Sequence, residues 1–119
     1  MANPKKPLGD AGEGFAAACL ESRGFSVVAR NFRTRLGEID IIAQDARYLL
    51  FVEVKARKAG SMVSGEEAVD FRKQGRLRAA AEYYLVGRPT ALQPRFDVMC
   101  VELGPGGETT LKNWIEDAF

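Results

Sequence analysis

The sequence contains no histidine and only two cysteines, Cys19 and Cys100, among its 119 residues. The lack of imidazole excludes histidine acid–base catalysis, serine–histidine and cysteine–histidine nucleophile pairs, and zinc sites with a histidine ligand. The two cysteines form no CxxC motif, which excludes a thiolate zinc site and favours reduced thiols in a cytoplasmic protein. Any bound metal must therefore have oxygen ligands, which makes Mg²⁺ or Mn²⁺ the leading candidates.

Long apolar runs are missing as well. No stretch approaches the roughly 18 apolar residues of a membrane span, and the N-terminus has no apolar signal-peptide core. The net charge of +1 neither requires nor excludes a nucleic-acid partner. The length predicts a single domain over residues 1–119, in which residues 1–8, with Pro4 and Pro7, form a flexible arm.

The hydrophobic periodicity predicts an α/β fold with the order α-β-β-β-α-β and a mixed sheet flanked by helices. The first helix is expected from an N-cap at Asp10 to about Arg23, with Glu13 completing a capping box. Short turns between the first three strands predict an antiparallel meander. Strands are expected at residues 25–32, 38–43, 48–56 and 96–103, with an optional edge strand at 109–115.

The second helix is predicted to be long, from Glu66 to about Val86, after a Gly- and Ser-punctuated loop at 58–65. Its apolar stripe is interrupted by Lys73. This lysine either extends its ammonium to solvent or reaches the phosphate that is cleaved, and Gln74 beside it is a second candidate for that contact.

Two of the predicted strands carry acids among apolar residues. Asp40 interrupts a run of isoleucines, and Phe51, Glu53 and Lys55 share one face of the third strand. Buried acids cost free energy unless they are paired or bound to a cation. The placement therefore indicates a cation site, with an exposed sheet edge or a structural ion pair as the alternatives.

Asp40, twelve intervening residues and then Glu53-x-Lys55 match the spacing of the PD-(D/E)xK nuclease signature. Two carboxylates on neighbouring strands can share a divalent cation that contacts a phosphate oxygen and the attacking water. Lys55 projects from the same face as Glu53, where it can orient or deprotonate that water or stabilise the transition state. Both DNA and RNA carry the phosphodiester that such a site cleaves.

Other charged residues fit this chemistry, although each has a simpler explanation. Glu13 can add a third carboxylate or serve only in the capping box, and the two roles are compatible. Four arginines flank the acid-bearing strands and form either a solvated surface or a path for phosphates. They are Arg30, Arg33, Arg35 and Arg57.

The chain resembles the YraN-like family of small bacterial proteins. The resemblance rests on the GEID segment at 37–40 and on FVEVK at 51–55 with Arg57, and also includes Gly12-Glu13, Arg95-Phe96-Asp97-Val98 and the final Ala118-Phe119. That family is similar to archaeal Holliday-junction resolvases. The resemblance implies a restriction-endonuclease-like fold and a homodimer that acts on branched DNA. The catalytic set that it implies is Glu13, Asp40, Glu53 and Lys55.

The sequence thus favours a metal-dependent DNA endonuclease with Mg²⁺ or Mn²⁺ held by Asp40, Glu53 and Glu13. Its phosphate contacts are expected from the four arginines, Lys73 and Gln74. A nucleic-acid-binding module without catalysis is the first alternative. A structural or adaptor protein, whose charges form a salt-bridge cluster, is the second.

Overall fold

The computed structural model describes residues 6–60 and 70–119, which form a five-stranded mixed sheet with one helix against each face. The strands lie in chain order; β3 and β4 are parallel and the other neighbours are antiparallel. The predicted meander, mixed sheet and edge strand are confirmed. The elements are α1 (Lys6–Ser22), β1 (Ser26–Arg33), β2 (Glu38–Gln44), β3 (Tyr48–Lys58), α2 (Phe71–Leu85), β4 (Gln93–Leu103) and β5 (Thr109–Ile115).

Strand β3 lies in the middle of the sheet and divides the core into two layers. Leu50 and Val52 pack in the layer that contains α1, whereas Leu49 and Phe51 pack in the layer that contains α2. This alternation is the predicted one and follows from the two-residue period of a strand. It directs Glu53 and Lys55 towards α2.

Neither described helix is long and apolar enough to cross a membrane.

Helix α1 begins earlier than the sequence predicted. It starts at Lys6, so Asp10 lies inside the helix and the capping box between Asp10 and Glu13 is wrong. Pro7 falls in the first turn, where a missing N–H costs no hydrogen bond, so it does not stop the helix. The predicted arm is therefore wrong at residues 6–8, and residues 1–5 lie outside the described part. Gly24, with φ of +91°, ends the helix as predicted.

Helix α2 begins later than predicted. Asp70 is extended (φ −79°, ψ 176°), and its side chain accepts a hydrogen bond from the backbone N–H of Lys73, so it is the N-cap. An unbroken helix from Glu66 is therefore wrong. The predicted start itself and most of the predicted loop fall in residues 61–69, outside the described residues.

The buried carboxylate of Asp97 on β4 links this strand to the C-terminal segment. Asp97 is 0% exposed and accepts two hydrogen bonds from the Arg95 guanidinium, at 2.9 and 2.8 Å. It also accepts one from Trp114 Nε1 at 2.8 Å and one from the backbone N–H of Asp117 at 3.0 Å. These four bonds offset the cost of burying the carboxylate, so Asp97 holds the end of the chain in place.

The contact between α1 and β3 leads to a prediction about stability. A methyl group at Gly12 would lie 2.6 Å from the Cβ of Ala56, whereas one at Gly14 would meet nothing within 4 Å. Gly12→Ala should lower the free energy of unfolding by about 1–3 kcal/mol, because an alanine Cβ cannot move aside. Gly14→Ala, the control in the same helix, should raise it by about 1 kcal/mol. Urea denaturation checks both; equal effects would contradict the close packing at Gly12.

Candidate active site

The acids lie where β2 and β3 stop pairing. The ladder between these strands runs from Gln44–Leu49 to Ile41–Val52, and beyond it Asp40 Oδ2 accepts a hydrogen bond from the backbone N–H of Val54 at 2.8 Å. A side-chain carboxylate thus takes the place of a backbone carbonyl. This bond fixes Asp40 against β3. It also opens the sheet beside Glu53, which follows Val52, the last residue of β3 in that ladder.

Asp40 and Glu53 form a close pair of acids. Burial, and then the negative charge of Glu53, raises the pKa of Asp40 from the ordinary value of 3.8 to about 8. The two side chains are close enough for a hydrogen bond between them, and the N–H of Val54 offsets only part of the shift. A bound cation would reverse this repulsion, because it favours both ionised forms.

Two lysines contact the same oxygen of Glu53. Its Oε1 lies 3.0 Å from the Nζ of Lys55 and 2.6 Å from the Nζ of Lys73. Burial, and then the neighbouring Lys73, lowers the pKa of Lys55. Burial acts in the same direction on Lys73, but its hydrogen bonds to Glu53 and Lys55 outweigh it and raise the pKa. Of the two lysines, Lys55 is therefore the readier to lose its proton.

Glu13 reaches this region from α1, on the other side of the sheet. Its side chain is 13% exposed, and its Oε1 is buried without a hydrogen-bond partner among the described residues. Burial raises its pKa, although Arg30, 4.0 Å away, and a hydrogen bond from Asn31 oppose the shift. Its charge acts on Asp40. Glu13 is thus a largely buried carboxylate whose Oε1 accepts no hydrogen bond from the described residues and whose charge is felt by Asp40.

A cleft of about 720 Å³ opens at Asp40 and Glu53 between the β1–β2 turn and α2. Its wall carries five cationic side chains, and we call it the basic cleft. They are Arg33, Arg35, Arg72, Lys73 and Arg76. Lys55 is buried and touches the cleft through Glu53. Glu38 also lines the cleft, where its Oε1 accepts a hydrogen bond from the Nε of Arg33 at 3.2 Å.

The structure brings together some of the predicted phosphate contacts and separates others. Arg33, Arg35 and Lys73 line the basic cleft. Among the described residues, its wall does not include Arg30, Arg57 or Gln74. Arg30 lies beside Glu13, Arg57 donates to the carbonyl of Ala56 at 2.9 Å, and Gln74 follows Lys73 on α2. The contacts predicted for these three residues stay predictions.

Two residues of the cleft were missed as individual site residues. Arg72 and Arg76 are four positions apart on α2, so they lie on the same face of the helix, and that face lines the cleft. The signal in the sequence is the spacing of the basic residues around Lys73, which are Arg72, Arg76 and Arg78. Which of these side chains point into the cleft depends on how α2 packs on the sheet, and the sequence does not give that packing.

The donor set fits a hard divalent cation. Among the described residues, no three acidic or cysteine side chains converge as a ready-made metal cluster. Mg²⁺, however, commonly binds one or two carboxylates and keeps several waters. Asp40 and Glu53 supply such a pair, and the charge of Glu13, whose Oε1 is buried without a hydrogen-bond partner among the described residues, acts on Asp40.

The chain is similar to bacterial proteins of one family. Residues 12–101 match the model of "Uncharacterised protein family UPF0102". The matched segment contains every acid and lysine of the site. A UPF0102 protein of Dictyoglomus turgidum is 40% identical over 115 residues, covering 96% of this chain and 98% of the relative. UPF0102 protein STH1475 of Symbiobacterium thermophilum is 45% identical over 113 residues, covering 94% and 95%. This chain therefore belongs to the uncharacterised protein family UPF0102.

Proposed function

We propose that this protein is a metal-dependent endonuclease that hydrolyses phosphodiester bonds of DNA, including branched or otherwise structured DNA. One observation carries the proposal: a close pair of acids, half-buried Asp40 and buried Glu53, opens into a cleft whose wall carries five cationic side chains, and Lys55 contacts Glu53. Acids alone would repel a phosphate. The surrounding arginines and Lys73 attract it, so the two groups of charges fit an anionic substrate and a cation together.

Asp40 and Glu53 would hold Mg²⁺ or Mn²⁺, and Glu13 would be the third carboxylate. When bound, the cation neutralises charge on the phosphate and lowers the pKa of water. The element order α-β-β-β-α-β, with the acids on the second and third strands, supports the restriction-endonuclease-like assignment. That assignment and the site make one consistent proposal.

The lysines have different tasks in this proposal. Lys55, in the unprotonated form that its lowered pKa favours, accepts a proton from the attacking water, whose oxygen forms a bond to phosphorus. The ester P–O bond breaks at the same time, and the leaving oxygen takes up a proton from solvent. Lys73 keeps its proton and stabilises negative charge on the phosphate oxygens. Its contact with Glu53 would be exchanged for one with the substrate.

One observation favours a second function, a nucleic-acid-binding module without catalysis. Both lysines already contact Glu53, so one acid of the pair is neutralised by the protein itself. In that function the cluster would stabilise the fold, and the cleft would bind phosphates without a metal. Binding without any cleavage is its signature.

The test of the proposed function is cleavage of linear, nicked, flapped and four-way DNA, and of matching RNA, with Mg²⁺, Mn²⁺ or EDTA. We expect metal-dependent cleavage of at least one substrate, and its loss in Asp40→Asn. If the wild type binds these substrates but cleaves none of them with either metal, the binding-module function replaces the endonuclease.

The cations of the cleft make a prediction about salt. Arg76→Gln should flatten the slope of log affinity against log salt by about one unit, because one phosphate contact is lost. Arg78→Gln is the matched control, since Arg78 is on the same helix but lies over the rings of Phe96 and Phe119. Fluorescence anisotropy at several salt concentrations measures both slopes. Equal slopes in the two variants would remove Arg76 from the binding surface.

A further inference from the structure

A second groove adjoins the basic cleft and has a different character. It has a volume of about 730 Å³ and is lined by Arg33, Thr34, Arg35, Leu36 and Tyr83. All of these except Tyr83 also line the basic cleft, so the two spaces share the β1–β2 turn as a common wall. A ligand that lies across this turn would contact both.

The groove exposes apolar side chains next to arginines. Tyr83 is 60% exposed and Leu36 is 59% exposed. Exposed rings and leucines that are grouped in a groove commonly mark a binding site. The Tyr83 ring is not free to collapse, because it packs against Phe32 with 6.3 Å between ring centroids. Its exposed part is therefore held in place.

The turn that carries Leu36 is also fixed. Thr34 Oγ1 accepts hydrogen bonds from the backbone N–H groups of Leu36 and Gly37, each at 3.0 Å. Gly37 approaches α2 so closely that a Cβ there would clash with the carbonyl oxygen of Arg76. Leu36 and Tyr83 thus face the groove from two elements whose separation is set by this contact.

We propose that the groove binds one unpaired base of the nucleic acid whose phosphate lies in the basic cleft; this inference rests on the proposed function. The base stacks on Tyr83 with Leu36 beside it, while Arg33 and Arg35 contact the phosphates on either side. A base inside a duplex has both faces covered by its neighbours and offers none to a tyrosine. The substrate class is therefore nucleic acid with a single-stranded segment at the cleft, such as a flap, a fork or a gapped junction.

The charges of the groove favour a nucleotide over a protein segment. An apolar peptide would satisfy Leu36 and Tyr83 but would leave Arg35, which has no ion-pair partner among the described residues, without a counter-charge. It would also leave Arg33 with only its exposed pair to Glu38. A nucleotide supplies both a flat apolar face and an anion at adjoining positions, which is the combination that single-strand binding proteins recognise.

The test uses a single-stranded oligonucleotide with one 2-aminopurine, in EDTA so that no cleavage interferes. Stacking on Tyr83 quenches the fluorescence of the wild-type complex. Tyr83→Ala should abolish this quenching and weaken single-strand binding by about 5- to 100-fold, with no change for a blunt duplex. Tyr83→Phe keeps the ring and should behave as the wild type. Phe71→Ala is the control, since Phe71 is 89% exposed on the same helix but is not among the groove residues.

Several results would overturn the inference. Unchanged quenching in Tyr83→Ala would do so, as would an equal loss of affinity for single strand and duplex. Sedimentation tests the other occupant: if Tyr83→Ala converts a wild-type dimer to a monomer, the groove is a self-association surface. The two proposals fail separately. If the protein cleaves with metal and Tyr83→Ala binds single strands normally, the endonuclease proposal stands and the groove proposal fails. If Tyr83-dependent quenching is found without any cleavage, the groove proposal stands and the endonuclease proposal fails.

Discussion

The Lys55→Ala protein should bind DNA and divalent cations as the wild type does, yet cleave about 10²- to 10⁴-fold more slowly, the usual contribution of one acid–base group. Lys55 is buried and contacts the acid pair, and its lowered pKa suits it to accept a proton. A group that acts in the transition state changes turnover and leaves ground-state binding alone. Single-turnover cleavage and anisotropy with the same substrate measure the two effects.

The fold should tolerate this change. Glu53 keeps Lys73 at 2.6 Å after Lys55 is removed, so no buried carboxylate loses its last partner. Lys55→Arg should not restore cleavage, because a guanidinium does not give up its proton. Lys112→Ala is a surface control, since Lys112 is exposed and pairs with Glu102 at 3.5 Å. If Lys55→Ala cleaves as fast as Lys112→Ala, Lys55 is not the proton acceptor.

Strand periodicity explains which parts of the site could be predicted. The two-residue alternation in β3 predicts that Glu53 and Lys55 share a face, and they do share the face towards α2. The short turn between β2 and β3 also predicts that Asp40 lies on the neighbouring strand, as it does. It does not predict that Asp40 replaces a backbone carbonyl and bonds to Val54, because that depends on where the β2–β3 ladder ends.

The missed features depend on contacts between distant elements. Asp10 and Glu13 have the spacing of a capping box, but the helix continues to Lys6, and Glu13 instead faces the sheet. The bond between Lys73 and Glu53 joins α2 to β3 across twenty positions of sequence. Likewise, the sequence does not distinguish Asp97 from any other acid in a strand, because its four hydrogen bonds depend on the tertiary fold. Local pattern carries none of this information.

The Asp40→Asn protein should be more stable than the wild type at pH 8 without metal, and equally stable at pH 4. The native pKa of Asp40 is raised from 3.8 to about 8, so the protonated acid is favoured in the fold. Its contribution to stability is fully present below pH 4 and is lost as the pH rises through 8. The loss is on the order of 5 kcal/mol. Asparagine carries no charge and keeps an oxygen for the N–H of Val54, so it should show no such loss.

The same substitution should remove the effect of metal. Mn²⁺ should raise the melting temperature of the wild type at pH 8, because a cation that binds the ionised pair stabilises the native state. It should do so less at pH 5, where binding must first displace a proton from Asp40. Glu38→Gln is the matched control, since Glu38 lines the same cleft but pairs with Arg33. A wild-type response to Mn²⁺ that persists in Asp40→Asn would place the cation elsewhere. If the stability of the metal-free wild type does not fall between pH 4 and 8, the fold does not hold Asp40 protonated. The repulsion that a cation is proposed to relieve would then be absent.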